Sequence, residues 1–193
     1  HWSYGFEHDV LAGLIEVLTG QKFGQYIKQN IFDPLGMHHS TFLLPEEELD
    51  TIAPQYYFNN EKDAAENCGK QIRRYKLGSM YESGGAGCIS TAEDYMKFLE
   101  ALRRGDSILK KETIRLMQTD RLNDITHRDF WHSDYGYGLG LRCPREGCIP
   151  SDFGWAGASS FVRSRDLSVS SRPRWPCTSR SITEMKLSAV CFA

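Results

Sequence analysis

The sequence predicts a domain built from both helices and strands, and three observations carry that expectation. Apolar residues recur at helical spacing across residues 9–31 and again across 90–118. Alternation of aromatic and small residues takes over at 134–142, and a second strand-like run follows at 152–162. Glycine- and proline-bearing turns such as "TG", "DPLGM" and "RRGD" mark where one pattern stops.

A chain of 193 residues, 40% hydrophobic and 25% charged, suits one domain with a real core or two very small ones. The formal net charge of −2 argues against nucleic acid or an anionic membrane surface as partner, since either calls for a basic patch. No apolar run approaches the roughly 20 residues needed to cross a bilayer. The compartment stays open, because the sequence begins at His1 without an initiator methionine. Its six cysteines form no CxxC and fit no zinc ribbon, so scattered thiols are expected. A Cys143–Cys148 pair across a short polar loop is left open.

Val10, Leu11, Leu14, Ile15 and Leu18 share one face of a helix for which Asp9 is the expected N-cap and Thr19-Gly20 the stop. A second helix is predicted over Phe23–Ile31, ended by "DPLGM" because Pro34 has no amide hydrogen and biases Asp33 away from helix. "APQYYFNN" reads as a short strand and "NEKDAAENCGK" as a solvated loop. "SGGAG" at Ser83–Gly87 reads as a turn passing close against other backbone. "STAE" fits a capping box with Ser90 as cap and Glu93 reaching back. Behind it a helix lays Tyr95, Phe98, Leu99 and Leu102 on one face, and a shorter helix over Lys111–Gln118 buries Ile114 and Met117. "DYGYGLGLR" at Asp134–Arg142 reads as one strand, "DFGWAGASSFV" at Asp152–Val162 as another. After Val162 the Arg, Ser and Pro content rises and periodicity is lost, which composition reads as a linker-like tail.

Four stretches now stand together: "WSYGFEHDVLAGLIEVLTG", continued by "FGQYIKQNIFDPLGMHHSTF"; "SGGAGCISTAEDYMKFLEAL"; "YGYGLG"; and "FGWAGA". In this order they resemble the serine β-lactamase-related superfamily, the branch of class C β-lactamases, D-alanyl-D-alanine carboxypeptidases and esterases. The resemblance implies an α+β fold of β-lactamase/transpeptidase type, an antiparallel sheet flanked by helices, here incomplete at both ends. Residues 1–162 would be the partial domain and 163–193 an aberrant or disordered tail. A shift of reading frame would account for the tail, and translation in the other frames tests it.

The family's chemistry needs a Ser-x-x-Lys nucleophile, a tyrosine loop and a strand triplet that lines the oxyanion hole. By resemblance Tyr4 is the catalytic tyrosine. A free phenol has a pKa of about 10, so it needs a cation beside it, the family's lysine, to move protons near neutral pH. Trp155, Ala156 and Gly157 match the triplet in its Trp-Gly-Gly form, and Ala158 would donate the oxyanion amide. Phe6 stands where lactamases carry Asn, which leans toward esterase-like or unassigned relatives, and position 155 lacks the Lys that usually grips a β-lactam carboxylate, which argues against strong lactamase activity. "SILK" at Ser107–Lys110 follows Tyr4 instead of preceding it and is read as a chance match, leaving no nucleophile in this chain. His38-His39 and the pair His127 and His132 are read as surface, without a third ligand at metal-binding spacing.

The implied function is acyl transfer from a β-lactam, D-alanyl peptide or ester to water, on small-molecule substrates, with no metal and no cofactor. The chain by itself is expected to be inactive. The rival is a non-catalytic binding module of the same fold, and a Ser-x-x-Lys encoded upstream of His1 would separate the two.

Overall fold

The computed structural model describes residues 1–53, 56–67, 80–130, 134–145 and 153–155. The tail at 163–193 and Ala156, Gly157 and Ala158 lie outside these.

Helix α1 spans Glu7–Thr19, three residues earlier than an Asp9 cap predicts. Phe6 takes the N-cap position without a side-chain cap, so Asp9 is not the cap but lies in the first turn. The stop is as expected: Gly20 adopts φ 68°, a left-handed conformation that glycine enters without steric cost. The expected apolar face is a correction. Among the helix residues only Ala12 is buried, while Val10, Leu11, Leu14, Val17 and Leu18 are exposed.

The second helix runs past its predicted end. After α2 (Phe23–Ile27) the backbone widens into a π-turn, Lys28–Phe32, and continues as α3, Asp33–Leu35. Asp33 is helical despite preceding Pro34. In a π-turn the hydrogen-bond ladder shifts by one residue, which accommodates a proline that lacks a donor. The helix closes on Gly36, φ 65°, with Met37 N–H donating to the Phe32 carbonyl and Gly36 N–H to that of Asp33, a Schellman end. Phe23, Phe32 and Met37 are buried there, and the Phe42 ring packs 4.7 Å from Phe23 and 6.1 Å from Phe32.

Within the predicted strand at 53–60, Tyr56–Asn59 forms β1. The stretch read as solvated loop turns back to form β2, Ala64–Asn67, antiparallel to it. Asn59 Oδ1 accepts from the amides of Glu61 and Lys62, an Asx turn that reverses the chain.

Helix α4 spans Ala92–Arg104 and ends on Gly105, φ 61°, as predicted. Its cap is one residue later than expected: Thr91 Oγ1 accepts from Asp94 N–H, while Ser90 Oγ bonds to Ser40 Oγ. Helix α5, Lys111–Met117, buries Ile114, and α6 is a single turn, Asp124–His127, closed by a capping box from Asn123. Leu102 and Ile114 meet Cys143 and Phe153 in the core, with Phe98, Ile108, Leu109 and Leu141 packed around them. Cys143 is a free, fully buried thiol, and burial pushes its pKa up to about 11.

The stretch read as one strand at 134–142 is a hairpin. β3, Tyr135–Tyr137, pairs antiparallel with β4, Arg142–Pro144, and Gly138 N–H donates to the Leu141 carbonyl across the turn. The period-two signal continued across the turn because Leu139 and Leu141 keep the alternation going through residues that form no strand. Gly154 adds to the far side of β4 through a pair of hydrogen bonds with Arg142, 3.0 Å each.

Candidate active site

Tyr4 sits on the short loop that leads into α1, and what holds it is aromatic. Its ring stacks on Trp155 at 5.7 Å between centroids with 8° between planes. Trp155 in turn meets Tyr137 edge to face at 5.5 Å and Phe130 at 6.4 Å. Trp2 closes the group, 4.9 Å from Phe130, 5.6 Å from Tyr137 and 6.5 Å from Tyr4. Offset and edge-to-face contacts of this kind add about 0.5–1.5 kcal/mol per pair beyond the apolar area they bury. Two residues singled out in the sequence, Tyr4 and Trp155, are therefore in direct contact. Ala156, Gly157 and Ala158 lie outside the described residues.

The strand side of this cluster is fixed by the loop before α6. Asp120 Oδ1 accepts from Tyr137 N–H at 3.1 Å and from Leu122 N–H at 2.9 Å, and Arg121 N–H donates to the Tyr137 carbonyl. Gly136 has to be glycine, because a Cβ there would collide with the Asp120 carboxyl group. Burial first, then the nearby carboxylate of Glu7 and the Tyr4 phenol, raise the Tyr137 pKa above the usual phenol value.

The helix side is fixed by Asp9. Its carboxylate accepts from Ser83 Oγ at 2.7 Å and Tyr81 Oη at 2.8 Å, and the amides of Gly84 and Gly85 also donate to it. The "SGGAG" loop thus lies against the first turn of α1, as its glycines predict: a Cβ on Gly84 would strike the His8 carbonyl. Burial opposes ionisation of Asp9, but these donors outweigh it and hold its pKa below the ordinary carboxylate value. Gly140, at the β3–β4 turn, faces the His8 ring in the same turn of helix.

Ser107 and Lys110 fall elsewhere. Both are exposed in the turn between α4 and α5, where Asp106 bridges to Lys110, and Lys110 is the N-cap of α5. A serine before the helix and a lysine at its cap do not reproduce a nucleophile at a helix start with its base one turn inside. His39 is engaged by its backbone, whose amide donates to the buried Asp94. His127 is a correction to the surface reading: it is half-buried, and its Nε2 donates to the Tyr135 carbonyl at 2.9 Å. His132 lies outside the described residues. Among the described residues no group of three or more His, Cys, Asp or Glu is arranged to hold a metal ion.

Sequence reasoning missed Trp2, Phe130 and Tyr137 as neighbours of Tyr4. Only their aromatic character was visible, since they come from three segments that pairing and helix packing bring together.

Helices beside small antiparallel sheets place the chain in the β-lactamase/transpeptidase class of folds, and solved structures bear this out. Simvastatin synthase from Aspergillus terreus superposes with a TM-score of 0.66 at 26% identity, covering 75% of this chain and 40% of that one. The family model named Beta-lactamase matches residues 1–169, and the chain belongs to that family. It is 32% identical over 130 residues to the ML-236A carboxylate methylbutanoyltransferase of Penicillium citrinum, covering 60% of this chain and 28% of the relative. To the esterase EstB of Burkholderia gladioli it is 28% identical over 123 residues, 56% of this chain and 31% of the relative. The chain thus spans less than a third of the length of these two curated relatives. Among the described residues no helix is long and apolar enough to cross a membrane.

Proposed function

We propose that this chain carries the tyrosine and the oxyanion strand of a serine acyl-transfer site acting on small-molecule esters. The observation that carries the reading is the Tyr4–Trp155 stack, which brings the two motifs to one place. The serine and lysine would come from sequence preceding His1. The serine oxygen would attack the ester carbonyl while Tyr4, acting with the lysine, takes up its proton and later returns it to the leaving alcohol. The Ala158 amide would stabilise the negative charge on the tetrahedral oxygen. The acyl group would then pass to water or to an alcohol; an esterase and an acyltransferase among the relatives support either acceptor. Phe6 and Trp155, in place of an amide and an ammonium group, argue for esters over β-lactams.

The test has two arms. The chain alone should hydrolyse p-nitrophenyl acetate no faster than a heat-denatured control; turnover lost on Ser107→Ala would overturn the assignment of the nucleophile. A longer product of the same gene that carries Ser-x-x-Lys should hydrolyse the ester, and Tyr4→Phe should lower kcat/KM by about 10²–10⁴-fold, the usual contribution of a positioned proton-transfer group. An intact upstream region without Ser-x-x-Lys would favour a binding module instead.

A further inference from the structure

Tyr4 stands on a loop: the chain is neither helix nor strand until α1 begins at Glu7. A proton-transfer group has to be held to within about 0.5 Å, which strands and helices do better than loops. A misplacement of about 1 Å can cost about 10²-fold in rate. The support that the loop lacks comes from a strand across the ring cluster.

Tyr137, the last residue of β3, meets Trp155 edge to face at 5.5 Å with 83° between planes, and Trp2 at 5.6 Å with 70°. Trp155 and Trp2 are in turn neighbours of the Tyr4 ring. Phe130 backs the same two indoles, at 6.4 and 4.9 Å. Register makes the Tyr137 contact a property of the backbone. Tyr137 stands opposite Arg142 on β4, and Arg142 pairs on its far side with Gly154, the residue before Trp155. A single cross-strand row thus carries Tyr137 and the backbone that presents Trp155.

Asp120 secures the near end of that row. Its Oδ1 accepts from the Tyr137 and Leu122 amides at 3.1 and 2.9 Å, and Arg121 N–H donates to the Tyr137 carbonyl at 2.9 Å. Both backbone groups of Tyr137 are therefore held by the loop before α6.

We infer that Tyr137, held by Asp120, is a positioning residue whose ring fixes Trp155 and Trp2 as the platform that presents Tyr4 for proton transfer. It acts through the two indoles, by its ring and not by its hydroxyl. Its purpose rests on the acyl-transfer reading of Tyr4, but the geometry is measurable on this chain without turnover.

The test is fluorine NMR of the whole chain labelled with fluorotyrosine, the Tyr4 signal being identified by its loss in Tyr4→Phe. A ring stacked on an indole lies in the shielding region of that indole, so the Tyr4 signal should stand apart from that of free tyrosine. Tyr137→Leu should move it toward the free position, and Tyr137→Phe, which keeps the ring, should leave it in place. Asp120→Ala should move it the same way, and Asp120→Asn, whose side-chain oxygen still accepts, should move it less. The Asp120 pair decides the matter if Tyr137→Leu does not fold. Leu99→Ala, which truncates a buried residue of α4, should lower the thermal midpoint and leave the signal in place, separating positioning from stability. In a longer product that hydrolyses p-nitrophenyl acetate, Tyr137→Leu should lower kcat by about 10²-fold with KM little changed. A signal unmoved by Tyr137→Leu or by Asp120→Ala, or moved equally by Tyr137→Phe, would overturn the positioning role and leave the acyl-transfer reading standing. The expected shifts, with Tyr4→Phe leaving ester turnover by the longer product unchanged, would overturn that reading and leave the ring platform standing.

Discussion

Helices α1 and α4 are near twins in design and differ in what they bury. Each has 13 residues and ends on a left-handed glycine, and each places an aspartate third in its first turn, Asp9 and Asp94. Each aspartate reaches a distant loop, and Asp94 also takes Lys97 of its own helix. Asp9 takes the hydroxyls of Ser83 and Tyr81, whereas Asp94 takes the His39 amide, Ser40 Oγ and Lys97 Nζ. Yet α4 sinks Leu99, Ala101 and Leu102 into the core, while α1 leaves Val10, Val17 and Leu18 open at 70%, 81% and 75% exposure. An amphipathic pattern announces that a face suits burial; it does not say what will cover it. The loop contacts of the two aspartates are specific in either case, so polar anchoring and apolar burial are separate contributions to how a helix is held.

The contrast is broken most sharply by truncating one side chain on each helix. Leu102→Ala should destabilise the chain by about 2–5 kcal/mol in denaturant unfolding, the cost of a core cavity. Val17→Ala should change it by less than about 0.5 kcal/mol, as for an exposed site. Similar losses from both would mean that the α1 face is covered in solution.

Burial opposes ionisation of Asp94, but Lys97, the His39 amide and Ser40 outweigh it and hold its pKa below the ordinary value. A lowered folded-state pKa contributes stability that is present above the unfolded value, about 4, and is lost as pH falls through the folded one. Asp94→Asn should therefore cost about 1.5–3 kcal/mol at neutral pH, the range for hydrogen bonds to a charged group. It should also flatten the acid side of a thermal-midpoint profile below about pH 4. An acid limb identical to that of the unaltered chain would show that Asp94 contributes no such linkage.

Asp9 is only partly buried and water can replace some of its partners, so Asp9→Asn should cost less, about 1 kcal/mol. Its larger consequence is local. Amide exchange in residues 83–87 should quicken relative to residues 92–104, since the loop loses its anchor on α1. Unchanged protection at 83–87 would mean that the glycine packing alone holds the loop.

Much of the fold was legible because its signals are local. The helical repeats at 9–18 and 92–104, the stops at Gly20 and Gly105 and the close approach of "SGGAG" each depend on residues a few positions apart. Errors fell where a distant partner decides. Pro34 argued for a helix end, and a π-turn carried the helix through it. Leu139 and Leu141 prolonged an alternation through what is a turn. The stretch at 60–70 looked too polar for a strand, yet Ala64–Asn67 paired with β1, since exposed antiparallel strands need no apolar face.

By itself the sequence determined the helices, their stops and the family motifs around Tyr4 and Trp155, because backbone conformation and capping are set within a few residues. Tertiary structure alone decided that Tyr4 stacks on Trp155, that Glu7 folds over Gly5, and which helix face is covered. Those outcomes depend on burial and hydrogen bonds between segments far apart in the chain. Such contacts leave no periodic trace in the order of residues.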